Sequence, residues 1–152
     1  MTEKDLTEEE AIHRQMAIDL FNFTWTLLDK EKRSVEENDD MIHAAHASRF
    51  HWGKVGTPVH LERGEWQISR VYSALIQPQA ALYHARRCLE ICQENNIGDF
   101  DIAFAYEALA RAYSIEGNEA EKTKYFELAV AAAEKIKEAD DKDYFLGELK
   151  SI

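Results

Sequence analysis

Three of the chain's six histidines fall in one stretch, MIHAAHASRFHW (residues 41–52), beside Arg49 and Trp52. Imidazole is the side chain best suited to metal ligation and to proton transfer near neutral pH. On a helix, His43 and His46 stand one turn apart and could meet one ion. His51 lies about 80° round the axis from His43 and about 140° from His46 at ~100° per residue. One straight helix therefore cannot present all three to one ion. A further ligand would have to come from His60, Glu62 or Glu65, and the spacing matches no zinc signature. EAIH (10–13) and DMIH (40–43) place a carboxylate three residues before a histidine, as in di-iron bundles, but Glu10 is already needed as a capping residue. HARRC (84–88) offers His84 and Cys88 one turn apart, with Cys88 at a core position. No nucleophile–base pair and no phosphate-cradling glycine loop occurs, so no catalytic residue, metal ligand set or cofactor is assigned.

The same helical angles put Val35, Ile42, Ala45 and Trp52 on one face with Arg49, and His46 at its edge. A partly buried Arg49 requires an acidic or carbonyl partner, and Asp19, Asp29, Glu62 and Glu65 are the candidates. Ala44, Ala47 and Ser48 on the other side are small enough for a second helix to approach closely. The stretch is thus expected to be a helix sandwiched on both sides around a polar knot. The alternative is a small-molecule or metal pocket, or an enzyme's site, built from Trp25, His43, His46, Arg49 and His51.

The elements that position these residues follow from apolar periodicity, which yields about seven helices and no strand pattern. The expected class is all-α. Thr7 with Glu10 and Ser34 with Glu37 form capping boxes that open the first two helices. The first carries Met16, Leu20, Phe23 and Leu27 on one stripe and ends near Lys32; the second runs to about Trp52. Thr57, with Pro58 at the first helical position, opens a third that reaches Ile76. A fourth runs from Pro78 to about Asn96, and a fifth, capped by Asp99, to Glu116. A sixth, capped by Asn118, extends to about Ala139, and a short seventh, KDYFLGEL, covers an end.

Self-comparison reveals an internal repeat. ISRVYSAL (68–75) aligns with LARAYSIE (109–116) at an offset of 41, pairing Arg70 with Arg111, Tyr72 with Tyr113 and Ser73 with Ser114. In the partner helices the same offset pairs Ala85 with Phe126, Cys88 with Ala129 and Leu89 with Val130, so each unit is a helical hairpin. Ile68, Ser69, Tyr72, Ala81, Ala85 and Cys88 in one unit, and Leu109, Ala110, Tyr113, Gly117, Phe126 and Ala129 in the next, resemble the tetratricopeptide repeat. Lys122 stands where that family has a small residue, Ile76 replaces the turn glycine of the first unit, and the period exceeds the usual ~34 residues, as in long-helix variants. Stepping back one period sets Trp25 opposite Trp66, so the first two helices read as a diverged copy.

The resemblance implies antiparallel hairpins in a right-handed superhelix, forming one domain. Residues 1–6 are expected to be a flexible N-terminus, 7–56 the diverged hairpin, 57–97 and 98–139 the two clearer repeats, and 140–152 a capping helix. It also implies that the first helices of the units line a groove, which nominates Arg63, Trp66, Arg70, Ser73, Phe104, Glu107, Arg111 and Ser114 as residues facing a peptide or protein partner. Arg70 and Arg111, one repeat apart, would clamp a carboxylate through their planar donor forks.

Composition bounds the partners. Asp and Glu total 29 against 18 Lys and Arg, a formal charge of −11, and that field repels a phosphate backbone. Nucleic acid is not an expected partner, and neither is a membrane, since no apolar run approaches a span. The acidic start MTEKDLTEEE has no secretory pattern, and Cys88 and Cys92, one helical turn apart, suit core thiols of a reducing cytoplasm rather than a disulfide. An incomplete solenoid exposes an end, which leaves self-association open.

Overall fold

The computed structural model describes residues 5–152; most of the segment expected to be a flexible N-terminus, residues 1–6, lies outside the described residues. Seven helices follow one another: α1 (Glu8–Leu28), α2 (Val35–Val55), α3 (Pro58–Ala74), α4 (Pro78–Glu94), α5 (Asp99–Glu116), α6 (Glu119–Ala133) and α7 (Ala139–Leu149). No strand occurs among the described residues, and consecutive helices pack as hairpins. The all-α class is therefore established.

Local chemistry accounts for most helix ends. Both capping boxes form, with Thr7 Oγ1 accepting from the Glu10 amide at 3.1 Å and Ser34 Oγ from the Glu37 amide at 3.1 Å. At α3 the reciprocal half is made by a histidine, because His60 Nδ1 accepts the Thr57 amide at 3.0 Å. Asn118 Oδ1 caps α6 through the Glu121 amide. Asp99 departs from expectation: Gly98 precedes the helix, and Asp99 is its first residue, at a left-handed φ of 53°. Two helices stop short of expectation, α1 at Leu28 rather than near Lys32 and α6 at Ala133 rather than near 139. No glycine or proline marks the stop of α6. Ile136 is buried to 6% exposure by the tight turn that follows, so tertiary burial ends the helix where local propensity would continue it.

The offset of 41 is structural as well as textual. After α3, Ile76 takes a left-handed φ of 56° and the Gln77 amide reaches back to the Tyr72 carbonyl. After α5, Gly117 at φ 86° and the Asn118 amide do the same with Tyr113. This is the helix-ending motif that favours glycine, and Ile76 occupies the glycine position of its unit. The repeat-related tyrosine hydroxyls also do matching work. Tyr72 reaches back to His46 on α2 at 2.9 Å, and Tyr113 accepts from Arg86 on α4 at 3.0 Å.

Helix α1 corrects one expectation. Met16 and Phe23 are 43% exposed, and it is Ala17, Thr24 and Leu27 that are buried. As the first element, α1 has a neighbour on one side, α2, and only marginal contact with α3, so an apolar stripe wider than that contact is left facing outward. The small residues close the hairpins: Ser48 Oγ donates to the Ala17 carbonyl and Ser69 Oγ to the Ala81 carbonyl, both at 2.8 Å. The main core runs through α3, α4, α5, α6 and α7, with Leu82, Ala85, Leu109 and Phe145 essentially dry. The odd-numbered helices touch one another in turn, α1 to α3, α3 to α5 and α5 to α7, and form a layer of their own. No described helix is long and apolar enough to cross a membrane.

Candidate functional site

The odd-helix layer carries a cavity of about 390 Å³ to which all four of its helices contribute. Its aromatic wall comprises Phe21 and Trp25 from α1, Trp66 from α3, Phe100 and Phe104 from α5, and Tyr144 from α7. Polar groups enter as Glu62, Arg63, Asp101 and Asp141. Trp66 sits at the centre. Its ring centroid is 5.7 Å from that of Trp25 and 5.5 Å from that of Phe104, the latter edge-on, and edge-to-face pairs of this kind hold aromatic rings rigidly. Its Nε1 donates to Glu107 at 2.9 Å.

Of the residues nominated for the groove, Arg63, Trp66 and Phe104 line this cavity. Arg63 is about half exposed and forks onto Asp101, with Nε to Oδ1 at 2.7 Å and Nη2 to Oδ2 at 3.1 Å. Burial pushes the Asp101 carboxyl up, but hydrogen bonds from Arg63 and from Glu62, with the charge of Arg63, together outweigh it and hold the group below its usual range. The others lie deeper. Glu107 is fully buried and accepts both Trp66 Nε1 and Arg111 Nε, the latter at 2.8 Å. Arg111 also donates to the Glu148 carbonyl and to Ser151 Oγ. Its donor fork is therefore spent on tying the C-terminal segment to α5. Arg70 is 3.9 Å from Glu148 Oε2, its Nε is buried without a hydrogen-bond partner, and burial lowers its pKa from the ordinary value. Ser73 is buried and Ser114 half-buried.

The histidine helix does not gather a metal triad. His43 is exposed, His46 meets Tyr72, and His51 Nδ1 lies 2.8 Å from His13 Nδ1. The acidic partner of Arg49 is Glu65 at 3.5 Å, whose other oxygen accepts a hydrogen bond from His84 Nδ1 at 2.7 Å. Gly64 permits this approach, since a Cβ there would stand 2.8 Å from Arg49 Cδ. Burial, then the neighbouring His84, lowers the His46 pKa, so its ring favours the neutral form. Trp25 faces the aromatic cavity instead, away from this cluster.

Beneath the cavity lies a feature that residue spacing did not single out. Glu62 is 1% exposed, and its Oε2 is 3.3 Å from Cys88 Sγ. Burial, followed by Asp101, pushes the Glu62 carboxyl up to about 11, so it is a neutral acid at physiological pH. No donor reaches its Oε1, and the proton it keeps is directed to Asp101. The signal that could have found it is an acid three residues C-terminal to Val59 and one turn before Trp66, on the face that turns inward; i, i+4 cysteines on the next helix complete it.

Fold and site together define a class: an all-helical hairpin protein with an aromatic-walled, acid-rimmed cavity on the layer of its odd-numbered helices. Comparison of the chain with protein-family models, curated proteins and solved structures finds no match in any of the three.

Proposed function

We propose that this chain is an interaction module of the tetratricopeptide-like kind that binds a peptide or protein segment through the odd-helix layer, taking one side chain of the partner into the aromatic cavity. The observation that carries this reading is the cavity itself. Six aromatic rings line a space of about 390 Å³, enough for one large side chain and part of its backbone, and Asp101 and Asp141 stand at its polar rim with Arg63 forked onto Asp101. Aromatic faces with nearby carboxylates favour a lysine, arginine or alkylammonium group. A formal charge of −11 draws a basic segment toward that surface. Of the two arginines a carboxylate clamp would need, Arg111 is spent on Glu107 and the C-terminal segment, which leaves Arg70, 3.9 Å from Glu148, without its pair.

A panel of short peptides differing at one position, with lysine, arginine, trimethyllysine, leucine or glutamate, tests this through the fluorescence of Trp25 and Trp66. Basic peptides are expected to bind, and Trp25→Ala and Asp141→Asn to weaken them by about tenfold, or ~1.4 kcal/mol each. Preference for the glutamate peptide, lost in Arg70→Ala, would return the groove to the carboxylate reading.

A further inference from the structure

Under the cavity floor, three metal-ligating side chains converge from two helices. Glu62 from α3 and Cys88 and Cys92 from α4 place their ligand atoms within 4.8 Å of one another, and all three residues are buried. We propose that Glu62, Cys88 and Cys92 form a binding site for a thiophilic divalent cation of the zinc type, with the fourth coordination position on the side of the aromatic cavity.

Several independent features support this. Tetrahedral zinc holds thiolate sulfur at ~2.3 Å and carboxylate oxygen at ~2.0–2.2 Å, which puts neighbouring ligand atoms ~3.5–3.8 Å apart. The Glu62 Oε2 to Cys88 Sγ distance of 3.3 Å already falls near that range. Cys88 and Cys92 are one turn apart on the same helix, so their sulfurs point to a common spot. No group donates to the buried Glu62 Oε1, so once the carboxyl has given up its proton this oxygen has a lone pair available to a cation. Glu62 also lines the cavity, which provides a route in from solvent. Two thiolates and a carboxylate around a dication leave one negative charge, and Arg63 Nε, 3.8 Å from Glu62 Oε1, faces it. Asp101 accepts one Arg63 hydrogen bond on each oxygen and is not among the three converging ligand residues.

The balance of the step is simple. The cation replaces the protons on Cys88, Cys92 and Glu62 and releases them to solvent, with no change of oxidation state. Mixed sulfur–oxygen donors select zinc or cobalt over magnesium and calcium, which require an all-oxygen shell.

The test is titration of the reduced full chain with Co²⁺, followed by displacement with Zn²⁺. One equivalent should bind, with a thiolate-to-cobalt charge-transfer band and the intense visible bands of a tetrahedral ion, and Zn²⁺ should abolish both. Cys92→Ser should remove the charge-transfer intensity in large part. Glu62→Gln, which keeps side-chain shape, should weaken Zn²⁺ binding by more than about tenfold, the effect already seen for lesser perturbations of a metal shell. The wild-type spectrum needs no variant to be read, so a variant that misfolds leaves the test intact. Absence of binding, or a cobalt spectrum without thiolate bands that disappears in His51→Ala, would overturn the proposal in favour of surface histidines.

Discussion

Replacing Glu62 with glutamine in the metal-free protein should uncouple stability from pH over a wide window. In the folded chain the carboxyl is pushed up to about 11 from an ordinary 4.5, chiefly by burial and then by Asp101. The folded state thus keeps a proton that the unfolded chain has lost at any pH between those values. Its stabilising effect is complete below 4.5 and is lost as pH rises toward 11, because the unfolded state gains from ionisation and the folded state does not. Each pH unit in that window costs about 1.4 kcal/mol, so between about pH 5 and about pH 8 the wild type should lose roughly 4 kcal/mol relative to Glu62→Gln. That is a large share of the ~5–15 kcal/mol typical of a domain. The assay is urea denaturation of both proteins, with chelator present, at several pH values. Their stabilities should converge at the acid end, and the variant should be the more stable at neutral pH. Parallel profiles would mean that Glu62 ionises in the folded chain, and the account of a neutral acid beside the thiols would fail.

Further predictions concern other parts of the fold. Ile76→Gly should raise stability by about 1 kcal/mol, since Ile76 holds a left-handed conformation while 66% exposed; an unchanged or lower urea midpoint would contradict this. Glu107→Leu should destabilise by about 3–5 kcal/mol, because the buried Arg111 loses its carboxylate partner and Trp66 its acceptor, and differential scanning calorimetry would register it. His46 should titrate below 6.5 by NMR, since burial and the adjacent His84 disfavour its cation. The unfolded chain therefore takes up the proton first, and the contribution of His46 is present above 6.5 and lost as pH falls through its lowered folded value. Glu65, which pulls the other way, and the exposed His43 face the same ring, so His46→Gln should flatten that acid limb rather than abolish it.

Much of the architecture was legible without coordinates because it is written in local chemistry. Capping boxes at Thr7 and Ser34, proline at the starts of α3 and α4, and Asn118 before α6 act through groups within a few residues of each other. Their spacing is therefore sufficient to place a helix end. The repeat offset was equally legible, since Tyr72 and Tyr113 recur in step and end up making matching hydrogen bonds to the preceding hairpin. Helical angle alone also set His51 apart from His43 and His46; that those two part as well, one to solvent and one to Tyr72, with His51 against His13, came from the structure.

Other features depend on what arrives from distant parts of the chain. Periodicity can mark an apolar stripe on α1 but not that one flank of the first helix lacks a neighbour, so Met16 and Phe23 face outward. The repeat register nominates Glu107 and Arg111 for a groove, yet it cannot say that Trp66 will occupy Glu107 or that α7 and Ser151 will take the remaining donors of Arg111. The same limit misplaced Glu62: spacing offered it to the histidines of α2 or to Arg49, and only the stacking of α3 on α4 buries it against Cys88 and Cys92 instead. Sequence by itself determined the helices and their repeat, because those rest on short-range hydrogen bonds and side-chain period. Tertiary structure alone decided which polar groups lose water, because desolvation is set by every element that packs around a residue rather than by its neighbours along the chain.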